Sequence, residues 1–176
     1  MTPTRRALFI RIAIPIVLGA CLAAAPVLPP LAMPAARAQP GVDAPQPELP
    51  KEKLTIMTRS GQSHEFNVEM AVTPEQQTVG LMFRPTVPAD GGMLFDWGTP
   101  RDSAMWMRNT VSPLDMVFIN ADGTIRRVAE NTVPYSLATI DSRGPVRGTL
   151  ELAAGTARRL GIHAGDTVKH RIFGAP

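Results

Sequence analysis

From Leu54 onward, no stretch of the chain runs far without a turn signal, and this spacing constrains the fold more than any other feature. Arg59-Ser60-Gly61-Gln62, Gly98-Thr99-Pro100, Asn120-Ala121-Asp122-Gly123 and His163-Ala164-Gly165-Asp166 punctuate short apolar runs. Glycine supplies backbone angles that other residues resist, proline removes a donor, and Asn or Asp can hydrogen-bond their own backbone. The runs between these signals suit strands. His64 to Ala71 places Phe66, Val68 and Met70 on one side and Glu65, Asn67 and Glu69 on the other, the mark of a half-buried strand. With Leu54 to Thr58 before it, an antiparallel hairpin is expected. Asp122-Gly123 predicts a second hairpin, joining Leu114–Ile119 to Thr124–Glu130.

Further strands are expected over Met93–Trp97, Ala104–Met107, Val146–Leu152 and Thr167–Phe173, the last with Val168, His170 and Ile172 on one side. Thr73-Pro74-Glu75-Gln76 reads as a helix start: Thr73 caps, Pro74 fits the first position and Gln76 completes a capping box. That helix runs to about Met82, with Gly80 near its end, Arg84 just past it and Pro85 as a stop. A second short helix is expected over Ala153–Gly161, and Asn131–Pro145 reads as a long surface loop. About eight short strands and two short helices make a mainly β domain over residues 51–176. The expected architecture is a compact antiparallel β-sandwich or partly closed, jelly-roll-like barrel.

The amino terminus follows different rules. Arg5, Arg6 and Arg11 precede an apolar run from Ile12 to Leu28, and Ala36-Arg37-Ala38 offers small residues where a signal peptidase cuts. Residues 1–38 therefore read as a secretory signal peptide. Pro15, Pro26, Pro29 and Pro30 argue against a continuous membrane-spanning helix, which needs about 20 apolar residues. Thr4-Arg5-Arg6-Ala7-Leu8-Phe9 resembles a twin-arginine signal, with an ordinary Sec signal as the alternative. Leu18-Gly19-Ala20-Cys21 resembles a lipoprotein box, although the chain stays apolar beyond Cys21. Residues 39–50, with four prolines, read as a stiff, extended linker.

Export changes the charge argument. Four of the 18 basic residues and none of the 15 acidic ones lie in residues 1–38, which leaves 14 basic against 15 acidic and a net charge of −1. No basic patch argues for nucleic acid. The chain's single cysteine is Cys21, so the mature chain has no disulfide or thiolate chemistry, and stability must come from its core.

Unusual chemistry concentrates between Met105 and Ile119. A polar insert, Arg108 to Ser112, separates two apolar arms, and these read as two short strands joined by a tight loop. Asp115 sits just inside the second arm, where a buried carboxylate needs partners. The polar residues Arg84, Asn109, Thr110, Asp115 and Glu151, with Trp106 as an aromatic wall, are the candidate ligand-binding set. The structural alternative pairs Arg84 with Asp115 or Glu151 and leaves Asn109 and Thr110 to shape the turn.

No metal site is expected. Met82, Met93, Met105, Met107 and Met116 could offer soft ligands, but methionine is an adaptable core filler. His64, His163 and His170 lack ligand spacing, no serine lies in a G-x-S-x-G context, and no phosphate loop is present. No cofactor is implied.

Six motifs occur in order: Gly80-Leu81-Met82-Phe83-Arg84, Gly92-Met93-Leu94-Phe95, Trp106-Met107-Arg108-Asn109-Thr110, Pro113-Leu114-Asp115, Leu150-Glu151-Leu152 and Gly161-Ile162 with Gly165-Asp166. Together they resemble the prokaryotic family known as domain of unknown function 192, from about Leu54 to the C-terminus. The resemblance implies a compact all-β sandwich with small helical insertions, and no agreed activity, cofactor or catalytic residue. The functional expectation is an exported module in the periplasm or cell envelope, without a transmembrane span in its mature chain. It would bind a small ligand, glycan or envelope protein. One alternative is a hydrolase using Asp115 or Glu151 as acid or base with Arg84 as electrostatic partner. Another is a purely structural or accessory domain.

Overall fold

The computed structural model describes residues 41–174, so the expected signal peptide, its paired arginines and Cys21 lie outside the described residues. Among these residues seven strands form one sheet: β1 Lys51–Met57, β2 Ser63–Ala71, β3 Gly91–Met105, β4 Leu114–Ile119, β5 Ile125–Ala129, β6 Ile140–Ala153 and β7 Thr167–Lys169. Helices α1 Pro74–Val79 and α2 Thr156–Leu160 and a 3-10 turn at Arg171–Phe173 complete the chain. Strand order is β5-β4-β6-β3-β2-β1-β7, with one parallel pair, β2 with β3. Thr124 bridges Thr167 across the two edges, and the Val168 N–H donates to the Gly123 carbonyl at 2.8 Å. The sheet is thus a nearly closed barrel, mainly β with two short helices, as the turn spacing predicts.

Local chemistry explains the elements. Arg59–Gln62 turns β1 into β2 in the expected antiparallel register, Leu54 opposite Phe66. The capping box of α1 is complete: Thr73 Oγ1 accepts from the Gln76 N–H at 3.3 Å, and Gln76 Oε1 accepts from the Thr73 N–H at 3.0 Å. Asn120–Gly123 turns β4 into β5, with Gly123 at φ 83°.

Four expectations are corrected. Gly98-Thr99-Pro100 does not end a strand. It is an irregularity within β3, because β6 keeps pairing beyond it, with Arg101 opposite Val146 and Ala104 opposite Asp141. The arms on either side of Arg108–Ser112 consequently do not pair with each other, since β6 lies between β3 and β4. The same pairing starts β6 at Ile140, which shortens the loop expected over Asn131–Pro145. The closing strand stops at Lys169, and the 3-10 turn buries Phe173 where alternation would have placed Ile172.

Both faces of the central strands are covered, and every residue of β4 is buried. The inner layer draws on all seven strands, including Leu54, Phe66, Leu94, Val117, Ile125, Leu150 and Val168, and α2 adds Ala157. The outer layer is Met93, Phe95, Met107, Leu114, Met116, Phe118 and Val146, with Leu81 packed on them. Met93, Met107 and Met116 are core residues, as methionine's usual burial predicts.

Candidate functional site

Alternation along β6 sends Leu150 and Leu152 to the inner layer and Glu151 to the outer one. Register fixes Glu151's neighbours: Met93 lies opposite it on β3 and Met116 on β4. A carboxyl is therefore set among thioethers and aromatic carbon, 4% exposed. Among the described residues no group donates a hydrogen bond to it. Burial alone pushes its pKa up to about 8. At neutral pH it is a protonated acid, able to donate as well as accept.

This carboxyl opens on a cleft. Gly80 and Leu81 at the end of α1 form one side, Phe95, Trp97, Arg101 and Met105 of β3 the other, and Trp106 and Thr110 the rim. Gly80 at φ 51° permits the close approach: a Cβ there would stand 3.0 Å from Phe95 Cζ and 3.9 Å from Glu151 Oε2. Trp97 is held by Phe95 at 5.6 Å and by donation from its indole N–H to Thr149 Oγ1 at 3.2 Å. The Arg101 guanidinium lies 4.3 Å above the Trp97 ring, and that of Arg108 lies 5.6 Å from the Trp106 ring. Trp106 is 47% exposed. Beside it runs the loop 131–139, tied by the Met107 N–H to the Ser136 carbonyl and the Tyr135 N–H to the Thr110 carbonyl. Val133, Tyr135 and Leu137 on this loop are exposed.

Of the six residues singled out from sequence, the structure brings Trp106, Thr110 and Glu151 to this cleft and places three elsewhere. Arg84 pairs with Glu69 rather than with Asp115 or Glu151. Its Nη1 reaches Oε1 at 2.5 Å and its Nη2 reaches Oε2 at 2.9 Å. Residues of the Pro-rich segment lie over that pair: the Leu49 N–H donates to Glu69 Oε2, and Arg84 also donates to the Pro47 carbonyl. Asn109 occupies a left-handed turn at φ 56°, accepts from the Phe83 N–H and donates to the Val42 carbonyl.

Asp115 is fully buried, opposite Leu152, and so faces the inner layer. It accepts from the Asn131 N–H at 2.9 Å and the Ala157 N–H at 2.8 Å, which caps α2. Asp115 and Glu151 therefore lie on opposite faces of the sheet. The hydrolase expectation, with both carboxylates and Arg84 in one site, loses its geometry.

Sequence reasoning missed Trp97, Arg101 and Phe95. The available signal is the other tryptophan, immediately before Gly98-Thr99-Pro100-Arg101, where turn chemistry alone predicts a strand end. The methionines Met82 and Met105 line the cleft. Among the described residues no group of three His, Cys, Asp or Glu side chains could hold a metal ion. None of their helices is long and apolar enough to cross a membrane.

Comparison with known proteins agrees with this architecture. The model of the family DUF192, described as "Uncharacterized ACR", matches residues 55–170. A crystal structure from Sinorhizobium meliloti, described as a "putative transcription regulator", is 51% identical with a TM-score of 0.69, covering 70% of this chain and 96% of that one. A crystal structure of a protein of unknown function from Novosphingobium aromaticivorans is 36% identical with a TM-score of 0.67, covering 84% of this chain and 94% of that one. No curated protein matches the chain.

Proposed function

The chain belongs to the DUF192 family, and from that premise we propose that it is an exported, envelope-side module that binds a small ligand in the cleft over Glu151. One observation carries the reading: a buried carboxyl without a donor among the described residues opens on a cleft with aromatic walls. Buried polar groups normally have partners, and an unpartnered one that faces a cleft is a group a ligand can hydrogen-bond. Binding is favoured over catalysis because Glu151 is the single carboxyl among the residues lining the cleft. Acid–base hydrolysis of a glycoside ordinarily needs two such groups.

Export rests on the basic start, apolar run and Ala36-Arg37-Ala38 of residues 1–38. It fits a mature chain with balanced charge, which has no general attraction to a phosphate backbone. The regulator description of the Sinorhizobium protein is therefore not carried over. Cell fractionation and mass spectrometry test this part. The expected product begins at Gln39 in the envelope fraction, or at an acylated Cys21. A full-length cytosolic chain would overturn it.

The binding part is tested by ligand-observed NMR with the purified protein and a panel of chito-oligosaccharides, oligogalacturonates, muropeptides and short peptides. At least one class should bind and should lose binding in Trp106→Ala, while Thr86→Ala, in the groove beside Arg84, leaves it unchanged. If no class binds, or if Trp106→Ala has no effect, the cleft is not the site. A second reading, docking of an envelope protein, has its own support in the exposed Val133, Tyr135 and Leu137. Replacing all three with serine separates the readings, because it should abolish protein capture and spare small-ligand binding.

A further inference from the structure

We propose that the occupant of the cleft is an anionic sugar: a hydroxyl-rich ring carrying a carboxylate or phosphate, its ring against Trp106, its charge on Arg101 and a ring substituent on Glu151. The inference rests on the ligand-binding reading above and names the chemistry of the ligand. Three independent features point the same way.

The first is charge. Arg101 and Glu151 are the charged residues among those lining the cleft, and Arg108 lies beside its Trp106, 5.6 Å from the ring. Neither Arg101 nor Arg108 has an ion-pair or hydrogen-bonding partner for its guanidinium among the described residues. An unpaired guanidinium in the lining, with a second beside the Trp106 ring, repels an amine and attracts an anion, which arginine can grip with two parallel hydrogen bonds.

The second is shape. The guanidinium of Arg101 lies over the Trp97 ring, 4.3 Å from its centroid, a cation–π contact that holds it at the cleft. Trp106, nearly half exposed, offers the flat apolar surface that the C–H face of a sugar ring covers. The third is the floor. An ionised carboxylate in the cleft would repel an anionic ligand. Glu151 is surrounded by Met93 and Phe95 from β3, Met116 from β4 and Gly80 from α1, and none of these can ionise. Asp115, the nearest acid along β4, points to the opposite face. The Glu151 carboxyl is thereby kept protonated at neutral pH, where it can donate to a hydroxyl, ether or amide oxygen.

Quenching of tryptophan fluorescence tests the proposal on the purified protein. The probes are a galacturonic acid oligomer, a sugar phosphate and a neutral chito-oligosaccharide of the same length as the first. At pH 6 at least one anionic probe should bind about tenfold more tightly than the neutral one, as one charge-assisted contact warrants. Arg101→Gln should remove that preference. Raising the pH from 6 to 9, a range in which the galacturonate stays ionised, should weaken its binding to the native protein about tenfold or more. Glu151→Gln, which keeps a neutral donor in place, should flatten that pH profile. If Glu151→Gln fails to fold, the native pH profile and Arg101→Gln decide the matter. Equal binding of neutral and anionic probes overturns the anionic assignment and leaves the ligand-binding reading intact. Binding of none of the three, while another class in the wider panel binds, excludes sugars. Silence across the whole panel overturns both.

Discussion

Asp115 and Glu151 sit one step apart on neighbouring strands, Asp115 opposite Leu152 and Glu151 opposite Met116. Both are buried acids, and their circumstances are opposite. Asp115 faces inward and holds two backbone N–H groups, one of them at the start of α2. Glu151 faces outward, and nothing among the described residues donates to it. A third buried acid, Glu69, marks the middle ground, with an arginine and a backbone N–H for company. Burial does not by itself make a carboxyl functional, since a satisfied acid is structure. Glu69 also lines a groove, beside Arg84, so what sets Glu151 apart is that it meets its cleft with no donor among the described residues.

The largest expected effect breaks the satisfied end of this comparison. Asp115→Ala leaves two buried N–H groups without their acceptor and should cost about 4 kcal/mol of unfolding free energy. Urea denaturation followed by far-UV circular dichroism would measure it, and a loss below 1 kcal/mol would make Asp115 dispensable to the fold. Next comes Arg84→Met, which strands Glu69 with only the Leu49 N–H. A loss of about 3 kcal/mol is expected, and Glu69→Gln in the same chain should recover much of it. If the double variant is no more stable than the single one, the pair is not the source of the stability.

The fold was largely legible in the sequence because turn chemistry and alternation are local. Gly61, Gly123 and the Thr73–Gln76 box each act within a few residues, and both hairpins and the helix start form where they are expected, although the helix ends at Val79 rather than near Met82. The candidate site was half legible. Trp106 and Thr110 lie in one conspicuous insert, and Glu151 lies between two leucines, where alternation already sets it apart. What decides function is which strand lies beside which. Nothing near Trp106 announces that β6 inserts between β3 and β4 with Leu152 opposite Asp115, the register that turns Asp115 and Glu151 to opposite faces. Arg84 was equally ambiguous, because an arginine after a helix can reach any nearby acid. The choice of Glu69 was made by the parallel pairing of β2 with β3, a contact set by topology.

At the unsatisfied end, Glu151→Gln should stabilise the protein, with a definite pH signature. In the unfolded chain this acid titrates near its ordinary value of 4.5, and in the fold near 8. Between those values the folded state holds a proton that the unfolded state has released, so native stability declines as pH rises through that window. Glutamine does not titrate and removes the decline. Its amide is still buried without partners, which offsets part of the gain. Because that offset does not depend on pH, the variant should be no more stable than the native protein near pH 4.5 and should gain on it by about 4 kcal/mol between there and pH 8. Parallel stability curves for the two proteins from pH 5 to 9 would mean that Glu151 is ionised in the fold, and the contrast with Asp115 would collapse.

The smallest effect asks whether burial, rather than the hydrogen bond itself, separates these sites. Thr73 caps α1 with the same kind of contact that Asp115 makes to α2, a side-chain oxygen accepting a backbone N–H at a helix start. Thr73 is neutral and at the surface, where water can replace the lost acceptor. Asp115 is sealed in the core, where nothing can. Thr73→Ala should therefore cost only about 1 kcal/mol. The helix it caps carries the cleft's Gly80 wall, so the same substitution should leave the Trp106 fluorescence maximum unmoved if the wall is held from elsewhere. Gln46 supplies that hold, since its side-chain amide donates to the carbonyls of Gln76 and Gly80. Adding Gln46→Ala to Thr73→Ala should then shift the maximum where neither the cap nor the amide alone does so. If Thr73→Ala cost as much as Asp115→Ala, the difference between the two caps could not be ascribed to their burial.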